Sequence, residues 1–336
     1  MATQRKSAET VTEPEASGGE GHAVLIGLSA AVVSVAEERP RVLVVHRADG
    51  ADALPFGTFD PLSHRTLESG LRSWVEEQTQ LQLGYVEQLY TFGDRGRHLT
   101  RPGEGPRVLS VGYLALTRPQ EGGGPETLWR DWYGFFPWED WREEKPSIID
   151  SLIVPRLIMF ADAAPSVELR DHRRNRTRLC FGTDGIGWDE EKVLERYELL
   201  YEAGLVKEAQ RDRHSAPAGG PAPPLGADMV FDHRRILATA MGRLRGKMKY
   251  RPVVFELMPP EFTLLELQRT VEALSGIRLH KQNFRRLVEA QGLVEGTGRL
   301  SRKAGGRPAE QFRFRREVVR ERPAPGVRHT PTRSSR

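Results

Sequence analysis

The signals for helix start and helix end that follow residue 262 are the part of the sequence that most restricts the fold. Thr263 and Glu266 have the spacing of a capping box, in which each side chain accepts a hydrogen bond from the other residue's backbone amide. Apolar residues then recur every three or four positions, which predicts a helix ending near Gly276. A second helix is predicted over 280–291, with Gly292 after its end. The segment is therefore expected to form two short helices joined by a tight turn.

The residues after these helices predict a hairpin with a basic loop. Strands are predicted at 293–295 and 311–315, separated by a Gly- and Arg-rich loop over 296–308. Residues 280–320 contain eleven Lys or Arg and four Asp or Glu, whereas the whole chain has a net charge of +4. Two helices followed by a hairpin are typical of a winged helix-turn-helix, whose second helix enters the major groove of DNA.

The polar residues of this segment define the predicted DNA interface. Arginine pairs with guanine and asparagine with adenine in the major groove, while cations of the wing neutralise phosphates. A winged helix that binds another protein is the alternative that this charge pattern leaves open. The predicted DNA-binding residues are Lys281, Asn283, Arg285, Arg286, Arg299, Arg302, Lys303, Arg307 and Arg313.

Length and composition exclude several classes of protein. A chain of 336 residues predicts about two domains. The single cysteine, Cys180, excludes an internal disulfide and a cysteine-based zinc cluster. No run reaches the ~20 apolar residues of a membrane helix, and residues 1–21 lack the apolar stretch of a secretory signal. We therefore expect a cytoplasmic protein that does not contact membranes.

The first half of the chain alternates strand and helix patterns. Two β-branched runs separated by a short turn predict a buried hairpin, and an amphipathic helix follows a loop over 54–62. The predicted strands are 23–35, 41–47, 85–92 and 107–116, and the predicted helices are 64–79, 147–160 (interrupted near Pro155) and 189–203 with Asp189 as N-cap.

Six short motifs between residues 231 and 314 give the chain a specific resemblance. They are FDHRRI at 231–236, KYRPVVFEL at 249–257, FTLLELQ at 262–268, NFRR at 283–286, GRPA at 306–309 and FRF at 312–314. In this order they resemble the C-terminal half of the Nudix-related transcriptional regulators of NAD metabolism. The segment 188–204 is most similar to the alphaproteobacterial NAD-biosynthesis regulators of that group. The resemblance implies an α+β fold: a Nudix-like α/β/α sandwich sensor followed by a winged helix-turn-helix.

The residues that correspond to a Nudix catalytic box depart from its pattern. In the helix at 72–79, Arg72, Glu76 and Glu77 match the box, but Ser73 replaces its first glutamate. Two further positions differ, with Thr79 for the glycine and His64 for the upstream glutamate. A Nudix box holds divalent metal between carboxylates on one helix face, and serine supplies no charge there. We therefore expect no metal, no catalytic residue and no enzyme activity.

A cleft without metal is still able to bind a nucleotide. The resemblance implies that a NAD-pathway nucleotide (NAD, ADP-ribose or ATP) is the effector, with no cofactor required. It also implies a homodimer that represses NAD-biosynthesis genes at a palindromic operator in double-stranded DNA. The alternative is an active hydrolase of ADP-ribose-type nucleotides with an accessory nucleic-acid-binding module. The predicted effector-binding residues are Arg47, Phe56, Arg72, Glu76, Glu77, Arg173 and Arg174.

These expectations divide the chain into a sensor and a DNA-binding domain. The predicted boundaries are a disordered tail over 1–21, a Nudix-like sensor over 22–250, a winged helix-turn-helix over 251–320 and a second disordered tail over 321–336. Within the sensor, 162–226 is expected to be an insertion that ends in a flexible connector. Residues 229–249 are expected to form a helix that couples the two domains.

Overall fold

The computed structural model describes residues 24–47, 50–94, 107–120, 126–213, 225–301, 308–321 and 326–327. The strands are β1 Val24–Ala36, β2 Arg39–His46, β3 Asp52–Ala53, β4 Phe56–Thr58, β5 Tyr85–Phe92, β6 Arg107–Leu116, β7 Thr127–Asp131, β8 Val294–Ser301 and β9 Ala309–Phe314. The helices are α1 Leu67–Thr79, α2 Trp132–Phe135, α3 Val154–Asp162, α4 Val167–Phe181, α5 Val193–Glu202, α6 Lys207–Arg213, α7 His233–Met248, α8 Leu264–Ser275, α9 Lys281–Ala290 and α10 Val318–Glu321.

Seven of the strands form one mixed sheet in the first half of the chain. Its order is β3-β2-β1-β6-β5, with β4 paired to β1 and β7 paired to β2. The β1–β2 hairpin is antiparallel, whereas β1 and β6 run parallel. The predicted hairpin and the strands at 85–92 and 107–116 are confirmed. The loop expected over 54–62 is wrong in part, because Phe56–Thr58 pairs with β1 despite the neighbouring prolines.

Helices cover both faces of this sheet. On one face Ala30 and Val32 of β1 pack with Leu71 and Val75 of α1. On the other face the alternate residues of β1 belong to a larger core that includes Ile236 of α7. Successive side chains of a strand point to opposite faces, so a strand covered on both sides has an apolar run rather than an alternating pattern. The predicted α/β/α sandwich is confirmed.

Four helices, α3 to α6, account for most of the region around the predicted insertion. A π-helical turn, Ile149–Ile153, leads directly into α3, which confirms an irregular helix near Pro155. The expected N-cap at Asp189 is wrong, because α5 begins at Val193 and its N-cap residue is Lys192. The Asp189 carboxylate accepts the Glu191 amide instead, in a turn before the helix. Most of the predicted connector, 214–224, lies outside the described residues.

The C-terminal helices and hairpin have the predicted order. The capping box at Thr263 is present, with its hydroxyl accepting the Glu266 amide and the Glu266 carboxylate accepting the Thr263 amide. Strand β8 extends to Ser301, further than predicted. Phe262 bridges to Phe312, so the segment before α8 joins the β8–β9 hairpin.

Two further expectations concern the tails predicted at the ends of the chain and the absence of a membrane-spanning helix. The predicted tail 1–21 lies outside the described residues, as does most of 321–336. Within the second tail, Glu321 closes α10, and Val327 is buried with its amide donating to Met248 O at 2.7 Å. That part of the predicted tail is therefore packed on the fold. Among the described residues, no helix has the length and apolar character needed to cross a membrane.

Candidate functional site

One face of α9 is buried and the other is exposed and basic. Phe284 and Val288 are buried in the core. They lie on the same side of the helix because they are four residues apart. The opposite face is exposed and carries the residues predicted to read DNA: Lys281, Asn283, Arg285 and Arg286. All four side chains are therefore accessible from solvent.

The residues predicted to bind DNA differ in their hydrogen-bond and ion-pair partners. The Asn283 amide oxygen accepts a hydrogen bond from Arg286 at 3.3 Å. The Arg285 guanidinium makes no hydrogen bond or ion pair with any residue that the structure describes. In the wing, Arg299 pairs with Glu261 at 3.0 Å and Arg313 pairs with Glu295 at 2.6 Å, all at exposed or half-exposed positions. Exposed pairs of this kind contribute little stability, so a phosphate is able to replace the carboxylate. The other predicted wing residues, Arg302, Lys303 and Arg307, lie outside the described residues.

The helix that corresponds to a Nudix box, α1, holds no cluster of metal ligands. Ser73 donates its hydroxyl hydrogen bond to Ser69 O in the preceding turn. Glu76 and Glu77 are exposed, and the Glu76 carboxylate accepts a hydrogen bond from Gln82 at 3.3 Å. Among the described residues, no three His, Cys, Asp or Glu side chains lie close enough to hold a metal ion. The residues present do not fit the divalent metal that a catalytic Nudix box needs.

Aromatic side chains pack around His64, which precedes α1. The His64 ring lies between Phe59, at 5.9 Å, and Trp74, at 6.5 Å between ring centroids. Trp74 donates from Nε1 to Thr58 O at 2.9 Å and covers Gly57, where a Cβ atom would lie 2.2 Å from the indole. The position expected to hold the upstream glutamate is thus part of an aromatic cluster.

A second aromatic cluster joins β4 to the start of α7. The Phe56 ring lies 5.8 Å from Phe231 and 5.1 Å from His233, both edge-on. The Arg47 guanidinium lies 5.9 Å from the Phe231 ring centroid. His233 is buried, and its Nδ1 accepts the Leu54 amide at 3.1 Å. We call these four residues, Arg47, Phe56, Phe231 and His233, the cleft cluster.

The backbone conformation of Phe231 distinguishes the cleft cluster. Phe231 has φ 51°, a left-handed conformation that is unfavourable for a bulky residue and is often found at functional positions. A separate cavity of about 320 Å³ is lined by Asp52, Arg130 and Asp228, and no residue of the cleft cluster lines it. Aromatic faces stack on a nucleobase and guanidinium groups pair with phosphate. The cluster thus combines the two kinds of group, aromatic and guanidinium, that contact nucleotides.

The structure assigns the other predicted effector residues to different contacts. Arg72 donates to Glu68, Leu83 O and Gly84 O, so it holds the loop after α1. Arg173 lies 3.8 Å from the Phe160 ring centroid and donates to Phe160 O. Arg174 pairs with Asp162 at 2.6 Å. The structure brings together Arg47 and Phe56, whereas the partners of Arg173 and Arg174 lie on α3.

Sequence reasoning assigned no role to two members of the cleft cluster. Phe231 and His233 follow Phe56 by more than 170 residues, so no local pattern joins them. The signal in the sequence that could have found them is the FDHRRI motif at 231–236.

Comparison with known proteins decides the nature of the C-terminal domain. Residues 254–314 match the family model described as the NrtR DNA-binding winged helix domain. This segment is therefore similar to the DNA-binding winged helix domain of NrtR. It contains α8, α9 and the β8–β9 hairpin, and therefore the exposed basic face described above.

Relatives extend the comparison to the rest of the chain. The "ADPR responsive transcriptional repressor NtrR" of Acinetobacter baylyi is 44% identical over 90 residues, which is 27% of this chain and 36% of that protein. The solved structure of Shewanella oneidensis NrtR aligns over 91% of this chain and 100% of its own, with a TM-score of 0.53 and 19% identity. The same protein in complex with a 27mer DNA gives a TM-score of 0.51, over 91% of this chain and 99% of its own, also at 19% identity.

A further solved structure supports the sensor fold. A MutT/nudix family protein from Enterococcus faecalis aligns over 90% of both chains with a TM-score of 0.50 and 14% identity. These structural likenesses establish the fold. The chain is thus a Nudix-like sandwich followed by a winged helix domain similar to that of NrtR, and its resemblance to the Nudix-related regulators of NAD metabolism is confirmed.

Proposed function

We propose that the chain is an ADP-ribose-responsive transcriptional repressor. The observation that carries this proposal is the exposed basic face of α9 within a winged helix domain similar to that of NrtR. The matched relative is named as an ADPR-responsive repressor, and the cleft cluster supplies the aromatic and cationic groups that an adenine nucleotide needs. NAD and ATP, the other nucleotides expected from the sequence, are competitors in the test below.

The biological setting is part of the same proposal. We propose that the chain acts as a homodimer in the cytoplasm and represses NAD-biosynthesis genes. A dimer with two-fold symmetry reads a palindromic operator because its recognition helices face half-sites about one DNA turn apart.

The sensor is proposed to bind its nucleotide without cleaving it. Ser73 in place of a carboxylate, the exposed Glu76 and Glu77, and the aromatic cluster at His64 support this reading. A detector that leaves its ligand intact reports concentration at equilibrium. The alternative, a hydrolase of ADP-ribose-type nucleotides, requires Mg²⁺-dependent release of AMP by the purified chain.

Phe56→Leu is expected to weaken ADP-ribose binding by about tenfold, because it removes a ring that stacks while it keeps an apolar side chain of similar volume. All six tryptophans precede the winged helix, so titration of intrinsic fluorescence reports the sensor. The matched control is Tyr90→Leu on β5, an exposed ring at the opposite edge of the sheet from β3. Equal losses in the two variants, or unchanged binding by Phe56→Leu, would contradict the assignment of the cleft. NAD and ATP are titrated in parallel, and we expect ADP-ribose to bind most tightly.

A further inference from the structure

The turn between α8 and the recognition helix α9 is attached to the sensor by its backbone. The last carbonyl groups of a helix have no partner within the helix and must find one elsewhere. At the end of α8 the sensor supplies the donors. They are Tyr133 Oη to Ala273 O at 2.8 Å, Arg245 Nε to Leu274 O at 2.9 Å and Trp141 N to Gly276 O at 2.7 Å.

Two of these donors belong to a buried ionic network. The Glu139 carboxylate accepts from Arg196 at 2.6 and 2.9 Å and from Arg245 at 2.7 Å, and none of the three side chains is exposed. Arg245 also donates to Tyr133 Oη at 3.3 Å. A tyrosine hydroxyl is protonated at neutral pH, and burial raises the pKa of Tyr133 further, so the hydroxyl donates to α8. Each donor is therefore fixed in position by a partner that is itself buried.

The turn packs closely against the sensor. Gly276 has φ 74°, and a Cβ atom there would lie 2.4 Å from Glu139 O. Beyond it, Arg278 donates to Arg142 O at 3.0 Å and pairs with Glu272 at 3.0 Å. The Leu279 amide donates to the Glu272 carboxylate at 3.0 Å. Because Arg278 is three residues before α9, its bond with Arg142 of the sensor helps to determine where the recognition helix starts.

Helix α7 connects this attachment to the cleft cluster. Its first residue is His233, and Arg245 lies twelve positions later, about 18 Å along the helix axis at 1.5 Å per residue. One rigid helix therefore contacts the nucleotide cleft at one end and the α8 carbonyl at the other.

We infer that Tyr133, Glu139 and Arg245 are positioning residues, which fix the recognition helix relative to the sensor and transmit the state of the cleft to it. This inference rests on the proposed function, because it explains how a nucleotide in the sensor changes DNA binding. A ligand changes an equilibrium only through contacts that differ between two states. A small movement of α7 changes the lengths and angles of the hydrogen bonds to the end of α8, so their strength differs between the two states.

The test uses the full chain and the Tyr133→Phe variant. The change removes the hydroxyl that bonds α8 and Arg245 and leaves the ring in place. The matched control is Tyr201→Phe, also in the core, whose hydroxyl bonds Asp212 of α6 at 2.8 Å. Operator affinity is measured with and without ADP-ribose, on a duplex selected from a random library by the wild-type chain. The ratio of the two affinities is the coupling factor.

We expect Tyr133→Phe to lower the coupling factor at least threefold while its ADP-ribose affinity without DNA stays within twofold of wild type. Tyr201→Phe is expected to keep the wild-type coupling factor. A stability role alone would leave the coupling factor unchanged, since both ligands would still bind a folded protein. Full coupling in Tyr133→Phe overturns the inference.

Hydrogen exchange separates failure of this inference from failure of the proposed function. If the wild-type chain binds no duplex or no ADP-ribose, the proposed function is wrong, and the attachment is then tested by itself. Amides at 277–281 are expected to exchange at least threefold faster in Tyr133→Phe than in wild type or Tyr201→Phe. Equal exchange in all three proteins overturns the positioning role.

Discussion

Replacing Arg285 with alanine is expected to weaken binding to the preferred operator by about 5- to 150-fold, while binding to unrelated duplex stays near the wild-type value. This range corresponds to ~1–3 kcal/mol, the contribution of a bidentate contact between arginine and a base. Arg285 is exposed on α9 and has no ion-pair partner among the described residues, so no described side chain competes with DNA for its donors. Fluorescence anisotropy with a labelled selected duplex and a scrambled duplex gives both affinities.

The control for charge is Arg65→Ala, which removes an exposed cation of the sensor just before α1. It is expected to change both affinities by less than about twofold, since an exposed charge away from the interface is largely screened at physiological salt. If Arg285→Ala weakens both duplexes equally, the residue contacts phosphate instead of a base. If it weakens neither, the DNA interface lies elsewhere on the winged helix.

Glu139→Gln is expected to lower the free energy of unfolding by about 3–5 kcal/mol, the largest effect on stability that we predict for a single substitution. The change leaves Arg196 and Arg245 charged and fully buried without their shared carboxylate. Removing one member of a buried ion pair is strongly destabilising because the remaining charge has no compensation. Urea unfolding followed by tryptophan fluorescence and by circular dichroism measures the loss.

The matched control is the same amide replacement at an exposed pair. Asp162→Asn removes the partner of Arg174, and the two side chains are 47% and 51% exposed. Its expected cost is below ~1 kcal/mol, as for other surface ion pairs. Similar losses in the two variants would show that the Glu139 network is solvated and does not hold the two domains together.

Local sequence patterns predicted the elements whose signals are continuous along the chain. The apolar runs of β1 and β6 and the 3–4 spacing of α1, α8 and α9 reflect burial, so they were visible without a structure. Strand β4 was missed because Pro55 and Gly57 indicate a loop, and pairing with β1 overrides that local preference. Asp189 was assigned as an N-cap from residue type alone, whereas the carboxylate caps a turn four residues before α5.

The candidate sites also divide into one that local sequence predicts and others that depend on tertiary packing. The exposed basic face of α9 is predictable from helical periodicity, because the buried Phe284 and Val288 are one helical turn apart within a ten-residue helix. The cleft cluster joins Phe56 to Phe231 and His233, and the Glu139 network joins residues 57 and 106 positions apart. Charged residues such as Arg196 and Arg245 resemble solvated helix surface in the sequence, and tertiary packing alone buries them. Arg72 matched a box position but serves the loop after α1.

The most direct test of the account is a titration of ADP-ribose into the complex of the full chain with its selected duplex, followed by analysis of the nucleotide. We predict that ADP-ribose changes the operator affinity by at least about fivefold, within the usual range of coupling between two sites. The nucleotide is expected to be recovered intact after incubation with Mg²⁺. Turnover of ADP-ribose at about 1 s⁻¹ or faster, an ordinary enzymatic rate, together with an operator affinity that does not respond to the nucleotide, would contradict it.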